Sequence, residues 1–232
     1  MWDEHGLRIP AVNNFRDIGT HLNLSAANNG KTLTDRMIKA RHMTNRLRWI
    51  PISLKDKEHI ILANILPSGL CGVEAAWVNE STLKTLQSAI ARAIGPRSAR
   101  ASTDIVYNNT SCSADLDPAT YILTQRVLNL RRIMAKAPDK KAVVSQIINN
   151  YYSCNNLNAK AENPSGPIGL LINNLEEIGA LLTKDFTITT EGEVDIDIWN
   201  LPWQHLKKPS KKGWQTTELL RPLSTERTLK CR

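Results

Sequence analysis

Residues 32–49 constrain the fold of this chain more than any other stretch, because apolar side chains recur in them at helical spacing. The stripe that they form consists of Leu33, Met37, Ala40, Leu47 and Ile50. Such a stripe must be buried against other elements, and Pro51 follows it at once as a stop signal. The stretch therefore predicts one amphipathic helix around which the rest of the chain is organised.

Cationic side chains stand on and beside this stripe, with only Asp35 to oppose them. They are Arg36, Lys39, Arg41, Arg46 and Arg48. A helix that buries one face and flanks it with guanidinium groups can lie along a phosphate backbone. The alternative is a solvated basic face on an ordinary packing helix, and this helix alone does not separate the two.

The formal net charge of +8 is unevenly distributed along the chain. Residues 31–100 hold twelve Lys and Arg against five acids, whereas residues 161–200 hold one Lys against eight acids. Residues 207–232 return to eight basic residues against two acids. This pattern favours a nucleic-acid-binding protein whose acidic part faces elsewhere. A basic surface that serves only solubility would explain the same charges equally well.

Short helical patterns, separated by Gly and Pro, fill most of the remaining chain. Beyond the first helix, they predict helices at residues 54–66, 81–94, 118–137, 140–152 and 167–182. Pro67-Ser68-Gly69 is predicted to break the first of these, and Asp117-Pro118 to open the third. That third helix is predicted to point its basic side chains outward, namely Arg126, Arg131 and Arg132. Strand patterns lie within residues 7–24 and 186–198, and the second of these reads as a hairpin. The predicted fold class is therefore mainly α with minor β (α+β).

Several kinds of function find no support in the sequence. No run of about 18 apolar residues occurs, so neither a transmembrane helix nor a membrane partner is predicted. The chain has no Gly-x-Ser-x-Gly elbow and no phosphate-cradling Gly loop. Its four cysteines are too far apart for a zinc site: Cys71, Cys112, Cys154 and Cys231. Glu193, Asp195 and Asp197 share a strand face, which we interpret as exposed to solvent in preference to binding a metal.

The order of segments between residues 7 and 96 resembles the region just downstream of the catalytic centre in reverse transcriptases of non-LTR retrotransposons. Phe15-Arg16-Asp17-Ile18-Gly19 looks like the strand element that closes the palm of those enzymes. Residues 32–49 resemble their basic first thumb helix. Cys71-Gly72-Val73-Glu74 is similar to a Tyr-Gly-x-Glu run, with Cys71 where an aromatic residue is common. Leu83-Lys84-Thr85-Leu86-Gln87 is similar to the Leu-x-x-Leu-Gln helix that follows.

The resemblance implies a division of the chain into five parts. We expect a palm-end β element at residues 1–30, a helical thumb-like domain at 31–100 and a linker at 101–116. A connection-like helical domain with its hairpin is expected at 117–205, and a basic flexible tail at 206–232. The resemblance also implies an intracellular protein, located in the nucleus in preference to the cytoplasm.

The same resemblance implies that the catalytic part of the enzyme lies elsewhere. Polymerases of this family bind two metal ions through palm aspartates, and no Asp-Asp pair occurs in this sequence. The fingers and the rest of the palm would precede Met1, so this chain alone is expected to be inactive as an RNA-directed DNA polymerase. We accordingly predict no cofactor for it, since Mg²⁺ would be bound only by a complete polymerase. We predict no catalytic residue and no metal ligand in this chain.

The resemblance assigns a gripping role to the basic helix, with an RNA/DNA template–primer duplex and the missing palm and fingers as partners. The predicted nucleic-acid-binding residues are Arg36, Lys39, Arg41, Arg46, Arg48, Asn45, Trp49 and Arg16. Two alternatives stay open. In the first, the chain is a helical protein-interaction module that uses the stripes of residues 31–66 and 167–182. In the second, it is a non-functional relic of a retroelement.

Overall fold

The protein is mainly helical, with a small three-stranded antiparallel sheet, which confirms the predicted fold class. The computed structural model describes residues 14–17, 20–23, 30–95, 102–108, 110, 113–155, 166–190 and 195–199. Its α-helices are α1 (Lys31–Leu47), α2 (Leu54–Ile60), α3 (Leu66–Gly69), α4 (Glu80–Ile94), α5 (Thr103–Asn108), α6 (Pro118–Lys136), α7 (Lys141–Asn155) and α8 (Gly166–Glu177). Its strands are β1 (Asn14–Asp17), β2 (Thr20–Asn23), β3 (Ala180–Leu182), β4 (Thr187–Thr190) and β5 (Ile196–Asp197).

Helix α1 buries the predicted stripe, with one exception at its end. Leu33, Met37, Ala40 and Leu47 are all buried, as the helical spacing requires. Thr44 joins them, because its hydroxyl donates to the carbonyl oxygen of Ala40 at 2.8 Å and is thereby satisfied. The helix ends at Leu47, so Ile50 lies in the turn that follows and is exposed. The stripe is therefore one residue shorter than predicted.

The predicted break at Pro67 is wrong, because the chain stays helical from residue 54 to residue 69. Proline has no N–H to donate, and its ring crowds the carbonyl group four residues earlier. A π-helical turn, Ile61–Ile65, precedes α3 and widens the helix there. The N–H of Leu66 accordingly donates to the carbonyl oxygen of Ile61, five residues back. The wider turn lets the helix accommodate Pro67 instead of ending before it.

Helices α1 and α3 cross at a pair of small residues. A Cβ atom placed on Gly69 would lie 2.6 Å from the Cβ atom of Ala40, so the two backbones approach each other too closely for any larger side chain. Both residues are buried. This close approach brings α3 against α1 and fixes the angle at which the first core closes.

Two hydrophobic cores meet within α6. The first combines side chains between Leu33 and Ile122, and the second combines side chains between Leu123 and Ile198. Residues 101–116, predicted as a linker, contain α5, and Val106 and Tyr107 of that helix are buried in the first core. The domain boundaries themselves stay predictions.

Arg126 is buried at the junction of the two cores, so the prediction that it points outward is wrong. Only 4% of its surface is exposed. Its guanidinium group donates to the carbonyl oxygens of Val73 at 3.2 Å, Ala76 at 3.0 Å and Leu170 at 3.1 Å. It also donates to the side-chain oxygen of Asn174. These acceptors satisfy the buried charge, since one side of the group faces the loop before α4 and the other faces α8.

Burial lowers the pKa of Arg126 from its usual value to about 10, and the nearby carboxylates of Glu177 and Glu74 act against this decrease. The residue therefore keeps its charge at neutral pH. The amide of Asn174 connects the two charges on one side, because it donates to a carboxylate oxygen of Glu177 at 3.2 Å. The carboxylate of Glu177 thus lies at the exposed end of α8, and the side chain of Asn174 links it to Arg126 through hydrogen bonds.

The second core is closed by a sheet with one strand more than predicted. The helix expected to reach residue 182 ends at Glu177, because Gly179 adopts a positive φ of 75°. Strand β3 follows, and it pairs with β4 in antiparallel register, with Leu182 opposite Ile188. The predicted hairpin is present as β4 and β5, where Ile188 lies opposite Ile196. Its turn lies outside the described residues.

Two further differences from the predicted elements are local. Residues 13–24, predicted as the strand that follows one at residues 7–10, instead contain both β1 and β2, in which Asp17 lies opposite Thr20. Residues 7–10 lie outside the described part of the chain, as does the predicted tail at 206–232. Asp139, which precedes the helix predicted at residues 140–152, lies in a 3₁₀ turn, Pro138–Lys140, and pairs with Lys140 at 3.5 Å.

Replacing Gly69 by Ala should destabilise the protein by about 1–3 kcal/mol, because the added methyl group meets Ala40 across the crossing. Urea denaturation measures the loss. Ala40→Gly alone should also destabilise, by about 1 kcal/mol, through its lower helix propensity. Combining the two changes should cost less than the sum of the single effects, since Ala40→Gly frees the space. Strict additivity would contradict the crossing as described.

Replacing Arg126 by Met should lower the free energy of unfolding by about 3 kcal/mol or more. The carbonyl groups in the loop before α4 and in α8 would lose their donor. Arg132→Met on the same helix is the matched control, since Arg132 is exposed. It should change stability by no more than about 0.5 kcal/mol. Equal effects of the two changes in urea denaturation would refute the bridging role.

Candidate nucleic-acid interface

Three of the eight predicted binding residues, Arg46, Arg48 and Trp49, lie where α1 turns into α2. We call residues 46–57 the α1–α2 corner. After Leu47 the hydrogen bonds tighten to three-residue spacing: Trp49 N–H donates to the carbonyl oxygen of Arg46 at 3.1 Å, and Ile50 N–H to that of Leu47 at 3.2 Å. Pro51 follows and cannot continue the helix. The chain therefore turns sharply and presents consecutive side chains to solvent.

Ser53 starts α2 on the other side of the corner. Its hydroxyl oxygen accepts from the backbone N–H of Asp56 at 3.2 Å, and the same hydroxyl donates to the Asp56 carboxylate at 2.6 Å. The first of these is the N-cap bond of a capping box, but the Asp56 carboxylate accepts from the Ser53 hydroxyl and not from its backbone N–H. Asp56 is the only acid in residues 36–57, and one of its carboxylate oxygens accepts this hydrogen bond.

Lys57 ties the two sides of the corner together. Its ammonium group donates to the carbonyl oxygen of Arg48 at 3.1 Å. That carbonyl lies at the end of α1, where backbone oxygens have no partner inside the helix and carry partial negative charge. The contact fixes the distance between α1 and the first turn of α2.

Apolar and cationic surface lie side by side at the tip of the corner. Trp49 is 77% exposed, and the guanidinium carbon of Arg48 lies 5.2 Å from the centre of its ring. Ile50 and Leu54 are exposed next to it in the chain. Exposed tryptophan is uncommon in a folded protein, because the ring gains much from burial. The corner therefore has the surface character of a binding site.

Along α1 the predicted cationic residues divide into two rows. At about 100° per residue, Lys39 and Arg46 lie on one flank of the buried stripe, and Arg41 and Arg48 lie on the other. Each pair is separated by two turns, or about 10 Å along the axis. Lys39 and Arg46 are exposed, whereas Arg41 and Arg48 are partly exposed. Asn45 is exposed in the same turn as Arg46.

Two of the predicted contact residues belong neither to the corner nor to the two rows. Arg36 is partly buried, and its guanidinium group donates to the carbonyl oxygen of Cys71 at 2.7 Å. This contact holds the loop after α3 and uses part of its hydrogen-bonding capacity. Arg16 lies on β1, opposite His21 on β2. Its side chain lies outside what the structure describes.

The corner also contains two cationic residues that the sequence reasoning left out. Lys55 is exposed and Lys57 partly exposed, both on the first turn of α2. The signal for them was the short connection between the helices, since a loop of six residues brings the end of one helix close to the start of the next. Arg126 was missed as a buried residue, although it lies four residues from both Ile122 and Leu130, which are buried.

No metal centre or membrane span is found in the part of the chain that the structure describes. Within those residues, no three His, Cys, Asp or Glu side chains are grouped so as to hold an ion. None of the described helices is both long and apolar enough to cross a bilayer. Comparison with protein families, with curated proteins and with solved structures finds no significant match to this chain.

The stripes proposed for a protein-interaction module lie mostly inside the fold. Leu33 and Met37 are buried in the first core, and Leu171 and Leu175 are buried in the second. A partner would have to use exposed apolar side chains instead. Those described include Met43, Trp49, Ile50, Leu54, Ile105, Ile133, Val143, Ile147 and Leu181. Three of them, Trp49, Ile50 and Leu54, lie in the α1–α2 corner.

Replacing Ser53 by Ala should destabilise the protein by about 1 kcal/mol, because the first turn of α2 loses its cap. Ser53→Gly is the control, since Gly at this position costs only a few tenths of a kcal/mol. Thermal unfolding followed by circular dichroism ranks the two variants. If both variants unfold at the same temperature as the wild-type chain, the cap contributes nothing to the stability of the corner.

Proposed function

We propose that this chain is the thumb-bearing part of a non-LTR retrotransposon reverse transcriptase, and that α1 and the α1–α2 corner grip the backbone of a template–primer duplex. The observation that supports this most is the excess of cationic charge. Residues 36–57 hold seven Lys and Arg but one acid, Asp56, whose carboxylate already accepts from Ser53. Charge of one sign on an exposed surface attracts a polyanion.

The geometry of the two rows fits contact with a backbone better than contact with base edges. Cationic groups about 10 Å apart on either flank of one helix can each reach a phosphate group. Of the residues described, Lys39, Arg41 and Arg46 make no salt bridge within the protein. Their charges are therefore available for a ligand. Contacts of this kind position a nucleic acid without reading its sequence.

The proposed role is to hold the substrate while another part of the element performs the chemistry. In-line phosphoryl transfer needs metal ions held by carboxylates, and no adjacent pair of aspartates occurs in this sequence. In this proposal the palm and fingers bind Mg²⁺ and complete the enzyme. The thumb lengthens the time for which the primer end stays near the palm and fingers.

Fluorescence anisotropy with a labelled RNA–DNA duplex across a salt series tests the grip. We expect affinity to fall steeply as salt rises, and equally for unrelated sequences, because bound phosphates release counterions. Replacing Arg41 and Arg48 by Ala should flatten the slope of log affinity against log salt by about one unit for each lost contact.

Lys136→Ala is the control, because Lys136 is exposed on α6, outside the basic helix, and should leave the slope unchanged. An unchanged slope for the Arg41 and Arg48 variants would remove these residues from the interface. A folded wild-type chain that binds no duplex at low salt would overturn the proposed function. A stable complex with a protein, insensitive to salt, would support the interaction-module alternative instead.

A further inference from the structure

Trp49 carries a specific implication for the nucleic acid that the corner would take. With 77% of its surface exposed, the indole ring gains almost nothing from burial in this fold. Phosphate contacts need only cations, and the corner already has Arg46, Arg48 and Lys55. A duplex backbone therefore leaves this ring without a function. An exposed planar ring beside cationic groups is the arrangement used for stacking a nucleotide base.

The two faces of the ring differ. The guanidinium carbon of Arg48 lies 5.2 Å from the ring centre, and it is the one cation that the described residues place over this ring. Positive charge on one face of an indole is attracted by its π electrons and limits the rotation of both side chains. High exposure of the residue leaves the ring otherwise open to solvent. Arg48 thus holds the ring in place for a partner on its other side.

The corner itself is held in one shape. Lys57 joins the end of α1 to the first turn of α2 through its 3.1 Å bond to the Arg48 carbonyl oxygen, and Ser53 caps that turn. Pro51 restricts the connection between them. A ligand that binds such a corner meets a platform whose backbone is already ordered, so less ordering entropy is lost on binding.

We infer that the α1–α2 corner binds an unpaired nucleotide, whose base stacks on the open face of Trp49 while Arg46 and Lys55 contact the neighbouring phosphates. This inference rests on the proposed function and names its substrate more narrowly. Bases inside a duplex are covered on both faces by their neighbours, so only a single-stranded segment or a duplex end offers a free face. The corner therefore takes single-stranded nucleic acid or the end of a duplex.

A strand without bases separates stacking from charge. The probe is a labelled 12-nucleotide oligothymidylate, compared by anisotropy with an abasic strand of the same length and charge. One stacked base should make the oligothymidylate bind the full chain about 5- to 100-fold more tightly than the abasic strand. Trp49→Ala should remove this ratio while leaving affinity for the abasic strand unchanged.

Three variants control the test. Trp49→Phe keeps an aromatic face and should retain part of the ratio. Leu54→Ala removes exposed apolar surface from the same corner without removing a ring, and should leave the ratio intact. Arg46→Ala should weaken binding of both strands to a similar extent. Because Trp49 is exposed, its replacement should leave the circular dichroism spectrum unchanged.

The outcomes separate the two proposals. If the wild-type chain binds both strands equally, the stacking site is refuted while backbone binding stands. If Trp49→Ala keeps the full ratio, stacking occurs elsewhere and the inference fails as well. If the wild type binds neither the strands nor the RNA–DNA duplex at low salt, the proposed function fails and the stacking site with it.

Discussion

The buried guanidinium group of Arg126 is the interaction on which the rest of the structure depends. It bonds the carbonyl oxygens of Val73 and Ala76 on one side, and Leu170 and Asn174 on the other. A charge removed from water is costly, and it persists here because several acceptors surround it at hydrogen-bond distance. Since these acceptors lie on the loop before α4, which packs on the first core, and on α8, which packs in the second, the group joins the elements that build the two cores.

The loop between α3 and α4 connects the junction at Arg126 to the basic helix α1. Arg36 of α1 bonds the carbonyl oxygen of Cys71, and Arg126 bonds those of Val73 and Ala76 a few residues later. One turn further along the same face, α1 is held by the close approach of Ala40 to Gly69. The helix that carries the cationic rows is therefore anchored at several points along its buried face. Its outer surface and the α1–α2 corner remain free for a ligand.

The surface around the first core and the surface around the second core differ in the sign of their charge. The first core is surrounded by the cationic rows of α1 and the start of α2, whereas α8 ends in Glu176 and Glu177, both exposed. Asp185 and Asp195 are also exposed at the sheet. In the proposed function this asymmetry orients a polyanion toward α1 and away from the sheet, and salt weakens that preference over about 10 Å. In the same proposal the exposed ring of Trp49 adds a contact that salt does not screen.

The sequence by itself determined the elements whose signals are local. The spacing of Leu33, Met37 and Ala40 gave α1, and Asp117-Pro118 gave the start of α6, because helical periodicity and capping depend on neighbours a few residues away. It also identified the cationic rows and Trp49 as the candidate site. Only the tertiary structure decided that Arg126 is buried, that the helix passes through Pro67, and that β3 replaces the end of a helix. Each depends on partners distant in sequence or on a choice between two local conformations, and packing, which no local pattern encodes, makes that choice.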